Sequence, residues 1–155
     1  MRIIKILTIV LLIAFGYNAN AQEVPTNITA ALKADDATEL AKLVTKDNIN
    51  NCYQIGDWQY SLLAQTIRSK AKKCFDYLIA QGADVNKACD GYVPPLFHAA
   101  KYGSLEMLKI LVSKGAKVDY VYAGDYSPAD GKTPVTYAED NNQKEIAKYL
   151  RSVKK

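Results

Sequence analysis

The chain has 155 residues, the size of one domain, and at 49% hydrophobic and 23% charged its composition is that of a folded globular protein rather than a disordered one. Its net charge of +4 is spread without any run of five like charges, which argues against the concentrated basic stripe of a nucleic-acid binder. Three cysteines allow at most one disulfide and leave one thiol over, too few for a disulfide-stapled scaffold.

In chain order, the first feature is a leader. Arg2 and Lys5 make a positive start, Ile6 to Phe15 run apolar with only Thr8 polar, and Ala19-Asn20-Ala21 follows before Gln22. This three-part pattern predicts a signal peptide over residues 1–21, cut between Ala21 and Gln22. The apolar run is about half of the roughly 20 residues that a membrane-crossing helix needs, so cleavage is expected rather than a stable anchor. The first cysteine is Cys52, which leaves none near the cut to carry a lipid. The expected location is the periplasm, if the host is a diderm bacterium, or the exterior.

After a short linker over residues 22–25, the apolar positions fall at helical spacing. Ile28, Ala31 and Leu32 suit one helix, and Leu40, Ala41, Leu43 and Val44 a second. Asp35, Asp36 and Glu39 lie near the start of that second helix, where carboxylates favour the positive end of the helix dipole. Leu63 to Arg68 is again a short apolar-rich segment, Ser69 to Lys72 is polar, and Lys73 to Ala80 carries Cys74, Phe75, Tyr77, Leu78 and Ile79. Gly82 then stands where a helix end needs a left-handed residue. The same order returns with Leu96, Ala99 and Ala100, a turn at Gly103, then Leu105, Met107, Leu108, Ile110, Leu111 and Val112, closed by Gly115.

These segments repeat. Ser61-Leu62-Leu63 lies 33 positions before Pro94-Pro95-Leu96, and Gly82-Ala83 lies 33 positions before Gly115-Ala116. With Pro94-Pro95-Leu96-Phe97-His98-Ala99-Ala100, Gly103 and Gly115-Ala116-Lys117-Val118-Asp119, the sequence resembles the ankyrin family, whose period and Thr-Pro-Leu-His-x-Ala core these residues match. Gly82-Ala83-Asp84-Val85-Asn86 resembles the family's loop. Thr133-Pro134-Val135-Thr136-Tyr137-Ala138 begins a further unit, with Val135 39 residues after Leu96, so the loop before it is six residues longer than the period.

The resemblance implies an all-α ankyrin-repeat solenoid over residues 26–155, with projecting loop fingers and about four helix-turn-helix units, 26–57, 58–90, 91–129 and 130–155. Lys144, Lys148, Arg151, Lys154 and Lys155 suit a solvated C-terminal cap. Four positions depart from the family pattern: Phe97 stands where the family usually has His, Pro94 replaces Thr, and Lys70 and Asn142 replace the turn Gly. Cys52 and Cys89 fall in loops that stacked repeats place side by side. They are either disulfide-bonded, which requires Cα atoms within roughly 7 Å, or two free thiols. Cys74, on a second helix, suits a packed core position.

No catalytic constellation stands out. The chain has a single His, His98, no Cys or His at metal-ligand spacing, and neither of the Gly-rich phosphate-binding patterns. No enzyme activity, metal or cofactor is expected, and the resemblance implies instead a protein partner. Many tyrosines lie in loops: Tyr53, Tyr60, Tyr92, Tyr120, Tyr122 and Tyr126, with Trp58 beside them. Tyr and Trp dominate binding hot spots because a large apolar body carries a polar tip. First-helix residues Gln65, Arg68, His98, Lys101, Tyr102, Tyr137 and Asp140 are expected on the concave face. The expectation is therefore a monomeric, exported protein-binding module that uses this face and the loop fingers. The alternative is a dedicated periplasmic inhibitor or immunity protein for a toxin or enzyme.

Overall fold

A computed structural model describes residues 22–90, 92–124 and 128–154. The proposed leader, residues 1–21, lies outside the described residues, as does Tyr126. Eight helices among the described residues form four pairs: α1 (Thr26–Ala34) with α2 (Ala37–Leu43), α3 (Leu62–Arg68) with α4 (Lys72–Ala80), α5 (Pro95–Tyr102) with α6 (Leu105–Ser113), and α7 (Pro134–Asp140) with α8 (Lys144–Val153). First helices of neighbouring pairs pack on one another, α3 on α5 and α5 on α7. This is a helical repeat fold.

Local chemistry explains the starts and stops. Ser61 opens α3 by accepting the backbone N–H of Ala64, and Thr133 forms a reciprocal capping box with Thr136 at the start of α7. Pro95 and Pro134 occupy the first turns of their helices, where the missing N–H costs no helical bond. Within each pair the chain reverses through a left-handed residue: Asp35, Lys70, Gly103 and Asn142, with φ of 49°, 56°, 75° and 61°. Lys70 and Asn142 therefore make the same turn as Gly103, despite the steric cost of a Cβ there.

Contacts between repeats run through buried side chains and a few polar stitches. One apolar layer extends from Ile28 and Leu32 through Leu63, Phe75, Leu78, Leu96 and Leu108 to Ile146 and Leu150. The Asp35 carboxylate accepts the N–H groups of Lys73 (3.1 Å) and Cys74 (2.9 Å), so the turn of the first pair caps the second helix of the next. Burial by itself would raise the pKa of Asp35, but these two backbone bonds outweigh it and hold the carboxyl below its ordinary value. Asn50 accepts the N–H of Asp84, and Asn86 both accepts the N–H of Lys117 and donates to the Gly115 carbonyl. Each loop is thereby tied to its successor. Cys74 is fully buried as a free thiol, which desolvation pushes up to about 12.

The fold is not purely helical, which corrects the all-α expectation. A three-stranded sheet, β1 (Gln22–Glu23), β2 (Cys52–Ile55) and β3 (Trp58–Ser61), stands at the N-terminal side. β1 pairs parallel with β2, so residues 22 and 23 are strand rather than linker. β2 and β3 form a hairpin through Gly56-Asp57, where Gly56 takes a φ of 60°. The sequence signal is a Gly-Asp turn between two short runs, with Tyr53 and Tyr60 directly opposite and both buried. Tyr53 is 2% exposed and belongs to the core layer. It is a packing residue, not the loop-tip contact expected of it.

The described parts of the 118–132 connection, residues 118–124 and 128–132, also turn inward. The Tyr122 N–H donates to the Lys132 carbonyl, and the Gly131 N–H donates back to Tyr122. Tyr122, 2% exposed, joins Phe97, Ala129 and Tyr137 in a second apolar cluster. The Phe97 ring meets those of Tyr120 at 6.1 Å, Tyr122 at 6.2 Å and Tyr137 at 5.6 Å. Phe at this position thus anchors the lengthened loop through aromatic packing.

Candidate functional site

The first helices and the hairpin enclose a cleft of about 340 Å³. Ser61 ends β3 and caps α3, so Tyr60 leaves the sheet beside the first turn of that helix. From there it packs on Arg68, whose guanidinium carbon lies 3.9 Å from the Tyr60 ring centroid. One guanidinium N–H donates to the Tyr102 hydroxyl at 3.1 Å, across from α3 to the end of α5. Arg68 and Lys101 are 33 residues apart, so the repeat puts two cations at equivalent points of adjacent helices. Lys101 Nζ lies 5.6 Å from the Tyr102 ring centroid. Asp140 takes the corresponding place on α7, but it is ion-paired with Lys132 and does not line the cleft.

His98 sits in the wall between these groups. Its ring lies edge-on to Tyr60 at 5.4 Å and stacks on Tyr102 at 6.3 Å. Burial, reinforced by Arg68 and Lys101, pushes its pKa down to about 3, so it is a neutral imidazole at physiological pH. The ring donates to the Val93 carbonyl, and Nε2 has no hydrogen-bond partner among the described residues. Gln65, the equivalent residue one repeat earlier, is likewise buried with its Nε2 unpartnered among the described residues.

Trp58 and Tyr92 form the outer rim, with ring centroids 5.4 Å apart and steeply inclined. The Tyr92 hydroxyl donates to the Asp57 carbonyl at 2.9 Å, which holds the hairpin turn against the following loop. Below it, Cys52 and Cys89 are joined by a disulfide with Cα atoms 5.7 Å apart. Hairpin and loop are therefore bound together both covalently and by a hydrogen bond. A polar groove of about 410 Å³ beside this disulfide is larger, but it is lined by Asn, Gln, Lys87 and Asp90 beside the two cysteines and lacks the cleft's aromatic walls.

The structure gathers eight of the sequence-selected residues around one space: Trp58, Tyr60, Arg68, Tyr92, His98, Lys101, Tyr102 and Tyr137. Of these, Tyr60, His98 and Tyr137 are buried and shape the wall, while Trp58 remains 42% exposed. Gln65 and Tyr53 are buried away from this space, Tyr120 and Tyr122 belong to the Phe97 cluster, and Asp140 lies outside. Val93 and Pro128 complete the lining. Their contribution depends on loop paths that carry no local sequence signal. Among the described residues no group of three or more His, Cys, Asp or Glu is placed to hold a metal ion, and no helix is long and apolar enough to cross a membrane.

Helix pairs with left-handed turns and stitched loops, presenting a cleft on their first helices, define a helical repeat protein. Residues 63–155 match the family model described as ankyrin repeats in three copies, and the chain belongs to the ankyrin repeat family. It is 32% identical over 123 residues to an ankyrin repeat protein of fowlpox virus (strain NVSL), covering 79% of this chain and 19% of the viral protein. It is 37% identical over 82 residues to an ankyrin repeat protein of Rickettsia felis, covering 52% of this chain and 35% of that protein. The matched stretch is thus about a fifth and about a third of the length of these curated relatives. Ankyrin repeats generally mediate protein–protein interaction and are typically not enzymes.

Proposed function

We propose that this chain is an exported, monomeric protein-binding module, without catalytic activity, that engages its partner at the aromatic cleft and its rim. The observation that carries this reading is the convergence of Trp58, Tyr92 and Tyr102 with two cations on a single concave space. Large amphipathic rings around a partly desolvated pocket are the composition of interface hot spots. The binding surface is narrower than the full set of loop tyrosines, because Tyr53 and Tyr122 are core residues. Ile55 beside Trp58 is likewise exposed on the hairpin, whereas the exposed Tyr120 and Val121 lie on the connection, outside the cleft lining.

Export is supported by the leader-like pattern of residues 1–21 and by the Cys52–Cys89 disulfide, a bond that persists in oxidising compartments such as the periplasm or the exterior. Affinity capture from the envelope fraction of the source cells, with the chain and its Trp58→Ala and Tyr92→Ala variants as bait, tests both parts. Capture of a protein that both variants lose supports the cleft as the binding site. Capture that neither variant weakens removes it. Recovery of one enzyme or toxin at equal stoichiometry, with loss of its activity on binding, would point to the dedicated inhibitor reading.

A further inference from the structure

We infer that the cleft between α3 and α5 receives a carboxylate carried next to a bulky apolar side chain on an exposed segment of a protein partner. The inference rests on the protein-binding reading above and specifies its chemistry. Two cations face the space, and neither Arg68 nor Lys101 forms an ion pair among the described residues. No Asp or Glu among the described residues lines it, and the nearest equivalent acid, Asp140, is held by Lys132. The cleft's charge is therefore uncompensated within the described structure, and its complement is an anion.

The Arg68 guanidinium selects the kind of anion. Its face is covered by Tyr60 at 3.9 Å and one N–H is committed to the Tyr102 hydroxyl. A guanidinium has five N–H donors in a planar fork, so an edge remains for a planar carboxylate. Stacking between aromatic rings fixes that edge before the partner arrives, which lowers the entropic cost of recognition. The surrounding rings of Trp58, Tyr92 and Tyr137 offer apolar surface to the neighbouring side chain. His98, buried in the wall and neutral, adds no positive charge of its own to the space. A volume of about 340 Å³ is at the small end of ligand clefts, typically about 300–1,000 Å³, and suits one or two side chains rather than a large ligand.

The test uses the chain's single tryptophan, Trp58, as reporter. The purified chain is titrated with the blocked tetrapeptide acetyl-Gly-Glu-Phe-Gly-amide and with counterparts carrying Gln or Lys in place of Glu, following Trp58 fluorescence. A saturable change is expected with the Glu peptide, weaker by about tenfold with Gln and absent with Lys. Arg68→Lys and Lys101→Ala should each weaken the Glu peptide by about three- to tenfold, and Lys101→Glu should shift preference toward the Lys peptide. Lys101 is exposed, so its variants keep the fold while changing the charge. Equal affinity for Glu and Gln peptides, or no saturable signal from the Glu peptide, overturns the inference. If partner capture then survives Lys101→Glu unchanged, protein binding stands and only the carboxylate chemistry falls. If instead the Glu peptide binds as described but no protein is captured, the cleft chemistry stands and the protein-binding reading fails.

Discussion

The hairpin at residues 52–61 and the connection at residues 118–132 both depart from a plain helical repeat, and both are rich in tyrosine, yet they place their aromatic rings in opposite ways. The hairpin buries Tyr53 but sends Trp58 and Tyr60 toward the cleft, where Arg68 and Tyr92 meet them. The connection folds Tyr122 back onto Phe97 and leaves Tyr120 and Val121 at its outer edge. What lies beneath each segment makes the difference. Under the connection is Phe97, an apolar ring that aromatic partners can cover. Beside the hairpin are two cations and a neutral His98, which line a space that the chain's own described side chains leave open. Aromatic content alone therefore does not mark a binding surface.

The largest effect should come from removing the anchor of the connection. Phe97→Ala takes away the ring that Tyr120, Tyr122 and Tyr137 contact and should cost about 3–5 kcal/mol. Urea unfolding would measure the loss, and hydrogen exchange should show residues 118–132 opening first. A loss below about 1 kcal/mol would mean that the connection does not depend on this ring.

The hairpin should answer to its covalent tie instead. Replacing Cys52 and Cys89 by Ser removes a bond across 37 residues of chain and should cost about 2–4 kcal/mol, read as a lower denaturant midpoint. The same double variant should also widen the Trp58 emission response, because the hairpin rim then depends on the Tyr92–Asp57 hydrogen bond.

Acid should distinguish the cleft from the rest of the molecule through His98. Its folded pKa is depressed to about 3, whereas an unfolded His titrates near 6.5. Above about pH 6.5 both states are neutral and the stability is fully present. As the pH falls toward 3 the unfolded chain binds a proton that the folded chain does not, and stability drops by up to about 1.4 kcal/mol per pH unit. Thermal melts between pH 7 and 4.5 would show this slope, and His98→Leu should flatten it. An unchanged slope in that variant would remove His98 as its source.

The smallest stability effect belongs to Trp58→Ala. The side chain is largely outside the core, so unfolding should change by about 0.5 kcal/mol or less while partner capture falls. A large stability loss would make Trp58 a structural member of the hairpin, like Tyr53, and erase the contrast between the two segments.

Much of the architecture was legible in the sequence because it is set by short-range chemistry. The 33-residue spacing placed the helix pairs of the second and third units, and the turn positions of Lys70, Gly103 and Asn142 followed from alignment of the units. The equivalent spacing of Arg68 and Lys101 likewise brought both cations to the same face. A backbone cap or a helical period involves a few neighbouring residues, so each can be judged where it stands.

The tertiary structure decided the rest. Whether Tyr53, Tyr122 or Trp58 is covered depends on which distant surface lies within reach: the helical core for Tyr53, Phe97 for Tyr122, and only the Tyr92 rim for Trp58. The hairpin was missed as sheet because its runs are short and its partner strand, residues 22 and 23, lies about 30 positions away. The depressed titration of His98 likewise arises first from helices and loops closing around it, with Arg68 and Lys101 adding to it. Sequence determined the repeat and its punctuation, since those are local free-energy preferences. Burial and charge compensation are sums over the whole packed surface, and only the assembled repeats determine which aromatic rings remain open to a partner.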